Sequence, residues 1–137
     1  MTNATASKQL IITVNNKVGT LAEVTSVLSG VGINLIAVCA YAVDNKGVNI
    51  FVTEDNNQAK KLHKAKNYDI REEEVILISV DNKPGELQKV TEKIAQAGID
   101  VTLIYGSVEQ KGKTSRLILV SEDNKAALAA IGMASAK

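Results

Sequence analysis

The chain contains nearly the same segment twice. Ile12-Thr13-Val14-Asn15-Asn16-Lys17-Val18-Gly19-Thr20-Leu21-Ala22-Glu23-Val24-Thr25 returns as Ile78-Ser79-Val80-Asp81-Asn82-Lys83-Pro84-Gly85-Glu86-Leu87-Gln88-Lys89-Val90-Thr91. Gly32-Ile33-Asn34-Leu35 then returns as Gly98-Ile99-Asp100-Val101, and the offset stays at 66, with Gly85 answering Gly19 and Gly98 answering Gly32. A repeat of this length means two copies of one structural unit, expected over 8–73 and 74–137. The shared residues cluster in one loop and the helix after it, so the repeat marks a site as well as a fold.

Each copy reads as strand, helix, strand, strand, helix, strand. In the first, Gln9 to Val14 is a short apolar run that suits a buried strand. Asn15 to Gly19 breaks it with turn residues. Leu21, Val24, Leu28 and Val31 then fall at helical spacing, and Gly32 stops the helix. Ile33 to Val43 and Val48 to Thr53 flank Asp44-Asn45-Lys46-Gly47, a strong hairpin turn. Asp55 or Asn56 caps a helix to about Lys66, and Tyr68 to Glu72 forms a last strand. The second copy gives Val75 to Val80, Leu87 to Ala97, Ile99 to Val108, Ser115 to Val120 and a helix from about Asp123 to Ile131. Its hairpin turn, Glu109 to Thr114, is read as one residue longer, raising the offset to 67 by Asn57 and Asn124. Only Met133 to Lys137 remain for a short final strand.

The order predicts an α+β fold: two ferredoxin-like βαββαβ repeats, antiparallel sheets with both helices on one face. The runs Leu35-Ile36-Ala37-Val38 and Leu117-Ile118-Leu119-Val120 are continuously apolar, which calls for both sheet faces to be covered at least in part. Halves of roughly 65 residues bury little apolar surface alone, so they are expected to pack on each other or on a second chain.

Several function classes are excluded by what is missing. The formal net charge of +1 offers no field for nucleic acid or anionic membrane. No apolar run approaches the ~20 residues of a membrane span, and Met1 to Lys8 lacks the apolar core of a signal peptide, so a cytoplasmic protein is expected. The single cysteine, Cys39, rules out iron–sulfur and paired-cysteine metal carriers and reads as a small buried hydrophobe. The single histidine, His63, sits among Lys60, Lys61, Lys64 and Lys66 and reads as part of a solvated basic helix face. RNA-recognition domains share the topology but need an aromatic platform, and Lys46 to Val52 offers only Phe51. No nucleophile–base pair is visible, so no catalysis, metal or cofactor is expected.

What remains is the repeated loop. A strand ending in a glycine turn and leading into a helix aims backbone N–H groups at one point. Gly19 and Gly85 have no Cβ, so a ligand can approach the main chain. A carboxylate on the amides of Gly19, Thr20 and Leu21 would gain hydrogen bonds and a helix-dipole contribution of ~0.3–1 kcal/mol. Asn16 and Asn82 add side-chain amides. Turn chemistry and core packing alone would also keep these residues.

From about Lys8 the chain resembles a pair of ACT domains, small-molecule sensor modules of amino-acid metabolism. The resemblance rests on Asn82-Lys83-Pro84-Gly85-Glu86-Leu87 with Gly98-Ile99-Asp100-Val101, and on Asn16-Lys17-Val18-Gly19-Thr20-Leu21 with Gly32-Ile33-Asn34-Leu35. It implies a non-enzymatic, allosteric regulatory protein that binds an amino acid at an interface between modules, forms a homodimer and acts on a partner enzyme. The implied ligand positions are Asn16, Val18, Gly19, Thr20, Leu21 and Asn34 in one copy, and Asn82, Pro84, Gly85, Glu86, Leu87 and Asp100 in the other. Two residues depart from the family pattern. Val18 replaces the usual proline, and Asp100 stands where the first copy has Asn34, favouring an ammonium and repelling a carboxylate. The two sites are therefore expected to differ. A different reading, an assembly module or regulatory subunit that pairs with an enzyme without binding ligand itself, fits the same residues.

Overall fold

The computed structural model describes residues 2–107 and 113–135. The elements run β1 (Asn3–Asn15), α1 (Thr20–Ser29), β2 (Leu35–Val43), β3 (Lys46–Thr53), α2 (Asn56–Ala65), β4 (Asp69–Asp81), α3 (Glu86–Gln96), β5 (Val101–Ser107), β6 (Thr114–Ser121) and α4 (Asn124–Ser135). They form two compact units, one of Lys8–Glu73, the other of Glu74–Lys137 together with Met1–Ser7. In the first unit the strands lie in the order β2-β3-β1-β4, and in the second β1-β4-β6-β5. The β1–β3, β2–β3, β4–β6 and β5–β6 pairings are antiparallel. This is the expected α+β, ferredoxin-like arrangement.

The strand completing the second unit does not come from the end of the chain. Residues 133–135 continue α4, so the short strand expected over Met133 to Lys137 does not form there; 136 and 137 lie outside the described residues. The first residues of β1 take that place beside β4, and Ala4 packs against the second unit's core. The strands expected at Tyr68 to Glu72 and Val75 to Val80 are likewise one, β4. Between them stand Glu73 and Glu74, which carry no turn chemistry, so nothing interrupts the extended backbone.

Each unit packs two helices on one face of its strands. In the first, Leu10, Ile12 and Phe51 meet Val24 and Leu28 of α1 and Ala59 of α2. In the second, Ile76, Ile78, Val80, Leu117 and Leu119 meet Val90 and Ile94 of α3 with Ala127 and Ile131 of α4. Fully burying side chains of this size contributes ~1.5–3 kcal/mol each. The expectation of two covered faces holds for β6, where Leu117 to Val120 are all buried. In the edge strand β2 the cover is partial: Leu35, Ile36 and Ala37 are partly buried, and Val38, like Tyr41 and Val43 further along, is about half exposed. Cys39 is a free, half-buried thiol on that same edge rather than a core residue.

The copies match closely where their helices begin. Asp55 caps α2 by accepting from the Gln58 N–H, and Asp123 accepts likewise from Ala126. The Asn56 amide donates to the Lys8 carbonyl at 2.8 Å, and that of Asn124 to the Glu74 carbonyl at 2.8 Å. These pairs differ by 68 positions, so the offset of 67 read from Asn57 is corrected: the second hairpin loop is two residues longer, not one. Most of the turn expected there, 109–112, lies outside the described residues. In the first hairpin Asp44 and Asn45 both take positive φ, at 48° and 62°, as a two-residue type I′ turn requires.

His63 is a correction too. Ala59 and His63 share the inner face of α2, and the ring is 0% exposed, while Lys61, Lys64 and Lys66 point to solvent. Its Nδ1 lies 2.8 Å from the Ala59 carbonyl oxygen and its Nε2 lies 2.9 Å from that of Val24 on α1. The basic face is real, but the histidine is turned away from it by four positions of helical spacing.

Candidate functional site

The repeated loops start their helices in the same way. Gly19 precedes α1 at φ 89° and Gly85 precedes α3 at φ 87°, both left-handed, and neither helix receives a side-chain cap at that position. An L-residue with a side chain there would be strained by roughly 1–2 kcal/mol, so glycine is required. The Thr20 N–H donates to the Lys17 carbonyl at 3.2 Å and that of Glu86 to the Lys83 carbonyl at 3.4 Å, and because glycine brings no capping oxygen the next first-turn N–H groups remain for an outside acceptor. The hairpins hold both loops: the Asn16 N–H donates to the Asn45 carbonyl at 2.9 Å, and that of Asn82 to the Lys113 carbonyl at 2.6 Å.

In the Lys8–Glu73 unit this loop faces the hairpin across a cavity of about 250 Å³, lined by Asn16, Gly19, Thr20 and Leu21 on one side and by Tyr41, Ala42 and Asn49 on the other. Val18 is fully exposed at the loop tip and stands outside that lining. Asn34 also lies elsewhere, in a second cavity of about 430 Å³ beside Ala22, Ser26 and Ser29. Asn16 and Asn34 are thus at opposite ends of α1. In the other unit Pro84 and Gly85 are exposed, Leu87 is 46% exposed, and Asp100 donates its N–H to Glu122 Oε1 at 3.1 Å. Glu86 is buried. Sequence reasoning missed Tyr41, Ala42 and Asn49. Only strand pairing brings them to the loop: Tyr41 lies opposite Val48, and Asn49, 3% exposed, donates to the Ile12 carbonyl at 3.2 Å.

A third cavity, of about 430 Å³, opens on the other flank of the loop beside Lys17, Thr20, Glu23, Lys66 and Tyr68. There the Tyr68 hydroxyl donates to Glu23 Oε1 at 2.9 Å. Desolvation by burial, then this hydrogen bond and the Glu23 charge, hold the Tyr68 hydroxyl above the usual tyrosine range. The raised value stabilises the fold below the ordinary tyrosine pKa, and that contribution is lost as pH climbs through the folded one. An ultraviolet titration should therefore find Tyr68 ionising late, and Glu23→Gln should bring its midpoint down. If Tyr68→Phe leaves the late phase intact, the assignment is wrong.

Among the described residues no group of three or more His, Cys, Asp or Glu could hold a metal ion, and no helix is long and apolar enough to cross a membrane.

Residues 5–131 match the family model of the ACT domain pair. The chain belongs to that family. No curated protein sequence matches it. A crystallised protein from Bacteroides thetaiotaomicron is 26% identical with a TM-score of 0.89, over 96% of this chain and 90% of that one. The regulatory subunit of aspartate kinase from Thermus thermophilus, 15% identical over 96% of this chain and 95% of its own, shares the fold with a TM-score of 0.65.

Proposed function

We propose that this chain is a non-catalytic regulatory pair of ACT modules, divided near residue 73, which binds a small metabolite, most simply an amino acid. The ligand sits against the glycine loop, its carboxylate on the uncapped first turn of α1 and its remaining atoms toward Tyr41 and Asn49. One observation carries the reading: the left-handed, uncapped Gly19 opens onto a cavity of about 250 Å³, large enough for a small molecule. The likeness in fold to a regulatory subunit of aspartate kinase supports a regulatory output passed to a partner enzyme. Ligand can shift that output only by its differential affinity for two arrangements of the protein.

The half-exposed Val38, Tyr41 and Val43 on the edge strand β2 favour a second reading, an assembly module that docks through this edge and binds no ligand. A thermal-shift screen against the common amino acids separates the two. A ligand at ~100 times its dissociation constant adds about 2.7 kcal/mol, a shift of several degrees for a chain of this size. Gly19→Val should remove the response of the wild-type responder, and Asn16→Ala should weaken it about tenfold. Silence across the panel, or a response indifferent to both substitutions, refutes the loop as the site.

A further inference from the structure

The two copies carry different charges beside their loops. At the offset of 66, Lys17, Thr20 and Glu23 answer to Lys83, Glu86 and Lys89. Glu86 is only 8% exposed, and its Oε1 lies 3.5 Å from Nζ of Lys83 and 3.5 Å from Nζ of Lys89. The second copy thus folds a carboxylate of its own against the lysine of its loop. Burial of a carboxylate is sustained only by such partners.

The first copy has the lysine but not the carboxylate. Thr20 stands in the place of Glu86, and its hydroxyl donates to the Lys17 carbonyl at 2.7 Å. Beside it is the cavity of about 430 Å³ that Lys17, Glu23, Lys66 and Tyr68 help to frame. Among the described residues neither Lys17 nor Lys66 has a carboxylate at ion-pair distance. Glu23 is engaged by the Tyr68 hydroxyl. With Lys46, which donates to Asn15 Oδ1, the lining carries three lysines against two carboxylates, Glu23 and Asp69, and this excess of positive charge favours an anion.

We propose that this cavity is a carboxylate-binding site, in which the acid group of a small metabolite takes the part that Glu86 plays in the second copy. The lysine of the loop holds an external carboxylate in the first copy and an internal one in the second. Glu86 is then a built-in occupant of the second copy. The site is separate from the hairpin cavity, which uses Tyr41 and Asn49; Lys17 and Thr20 form the wall common to both.

The test is an amide NMR titration of the full chain with succinate against sodium chloride at matched ionic strength. Succinate should shift Lys17, Thr20, Lys66 and Tyr68 saturably while chloride does not. Thr20→Glu, which imports the residue of the second copy, should abolish saturation, and Lys66→Gln should weaken it several-fold. An acidic residue in the first turn of a helix is favourable, so Thr20→Glu does not threaten folding. Glu86→Thr should add a second saturable set of shifts at Lys83 and Lys89. Equal shifts for succinate and chloride, or an unchanged affinity in Thr20→Glu, overturn the proposal. A succinate response in a chain that ignores every amino acid would sustain this site and sink the hairpin one; the reverse result would do the opposite.

Discussion

Deleting residues 2–7 is expected to unfold the Glu74–Lys137 unit while the core of Lys8–Glu73 outlasts it. Those residues are the start of β1, and they are the strand that lies beside β4 in the second unit. Their removal takes away a handful of ladder hydrogen bonds, each worth about 1 kcal/mol net, and uncovers backbone groups of β4 that had been paired. A loss of about 5 kcal/mol equals the whole stability of many small domains. The bared edge of β4 would also invite pairing with other chains and aggregation. Hydrogen exchange reads the result residue by residue. Protection should fall first and furthest at Ile76, Ile78, Leu117 and Leu119, which are core to the second unit, and be kept longest at Leu10, Ile12 and Phe51. Full protection at the first set, or an earlier loss at the second, would show that the N-terminal strand does not complete that unit.

His63→Ala should lower stability by about 3 kcal/mol. The ring is fully buried between α1 and α2 and touches the carbonyl oxygens of Val24 and Ala59. Its loss removes a buried hydrogen bond worth about 1 kcal/mol, since one ring N–H can serve only one of the two carbonyls, and leaves a cavity that the helices fill only partly. For a unit of this size the melting temperature should drop by ten degrees or more, taking ~4–8 °C per kcal/mol. The effect reaches the candidate site, because α1 is the helix that the Gly19 loop opens. Any ligand bound at the loop should be held more weakly in the variant, through a helix less firmly fixed. His63→Ala melting within two or three degrees of wild type would mean the ring is a passenger on a surface held by other contacts, which was the expectation from its lysine-rich neighbourhood.

That expectation failed for an identifiable reason. Composition around position 63 is basic, but the fate of one side chain is set by helical phase, and Ala59 and His63 are four apart on the inner face. The signal was present and outweighed by its neighbours. For Asn3 to Ser7 no such signal existed. Its residues are small and polar, and they become a strand because β4 presents an open edge, a fact about a partner far away in sequence. Of the candidate site, the half made by local turn chemistry was legible: Gly19 and Gly85 sit at φ 89° and 87°, where the repeat kept glycine. Tyr41, Ala42 and Asn49 were not, since β2 and β3 reach the loop only through sheet pairing.

The sequence by itself determined the two-fold repeat, most of the order of strands and helices, the glycine turns that lead into α1 and α3, and the ACT family. All of these rest on residues close together in the chain, where spacing and backbone preference suffice. Tertiary structure alone decided which strand closes the second unit, which way His63 faces, and that a carboxylate of the chain itself lies against Lys83 while, among the described residues, none lies against Lys17. Those depend on which distant groups meet. The energy of a strand edge, a buried ring or a lysine is set by what lies opposite it, and the linear order does not contain that.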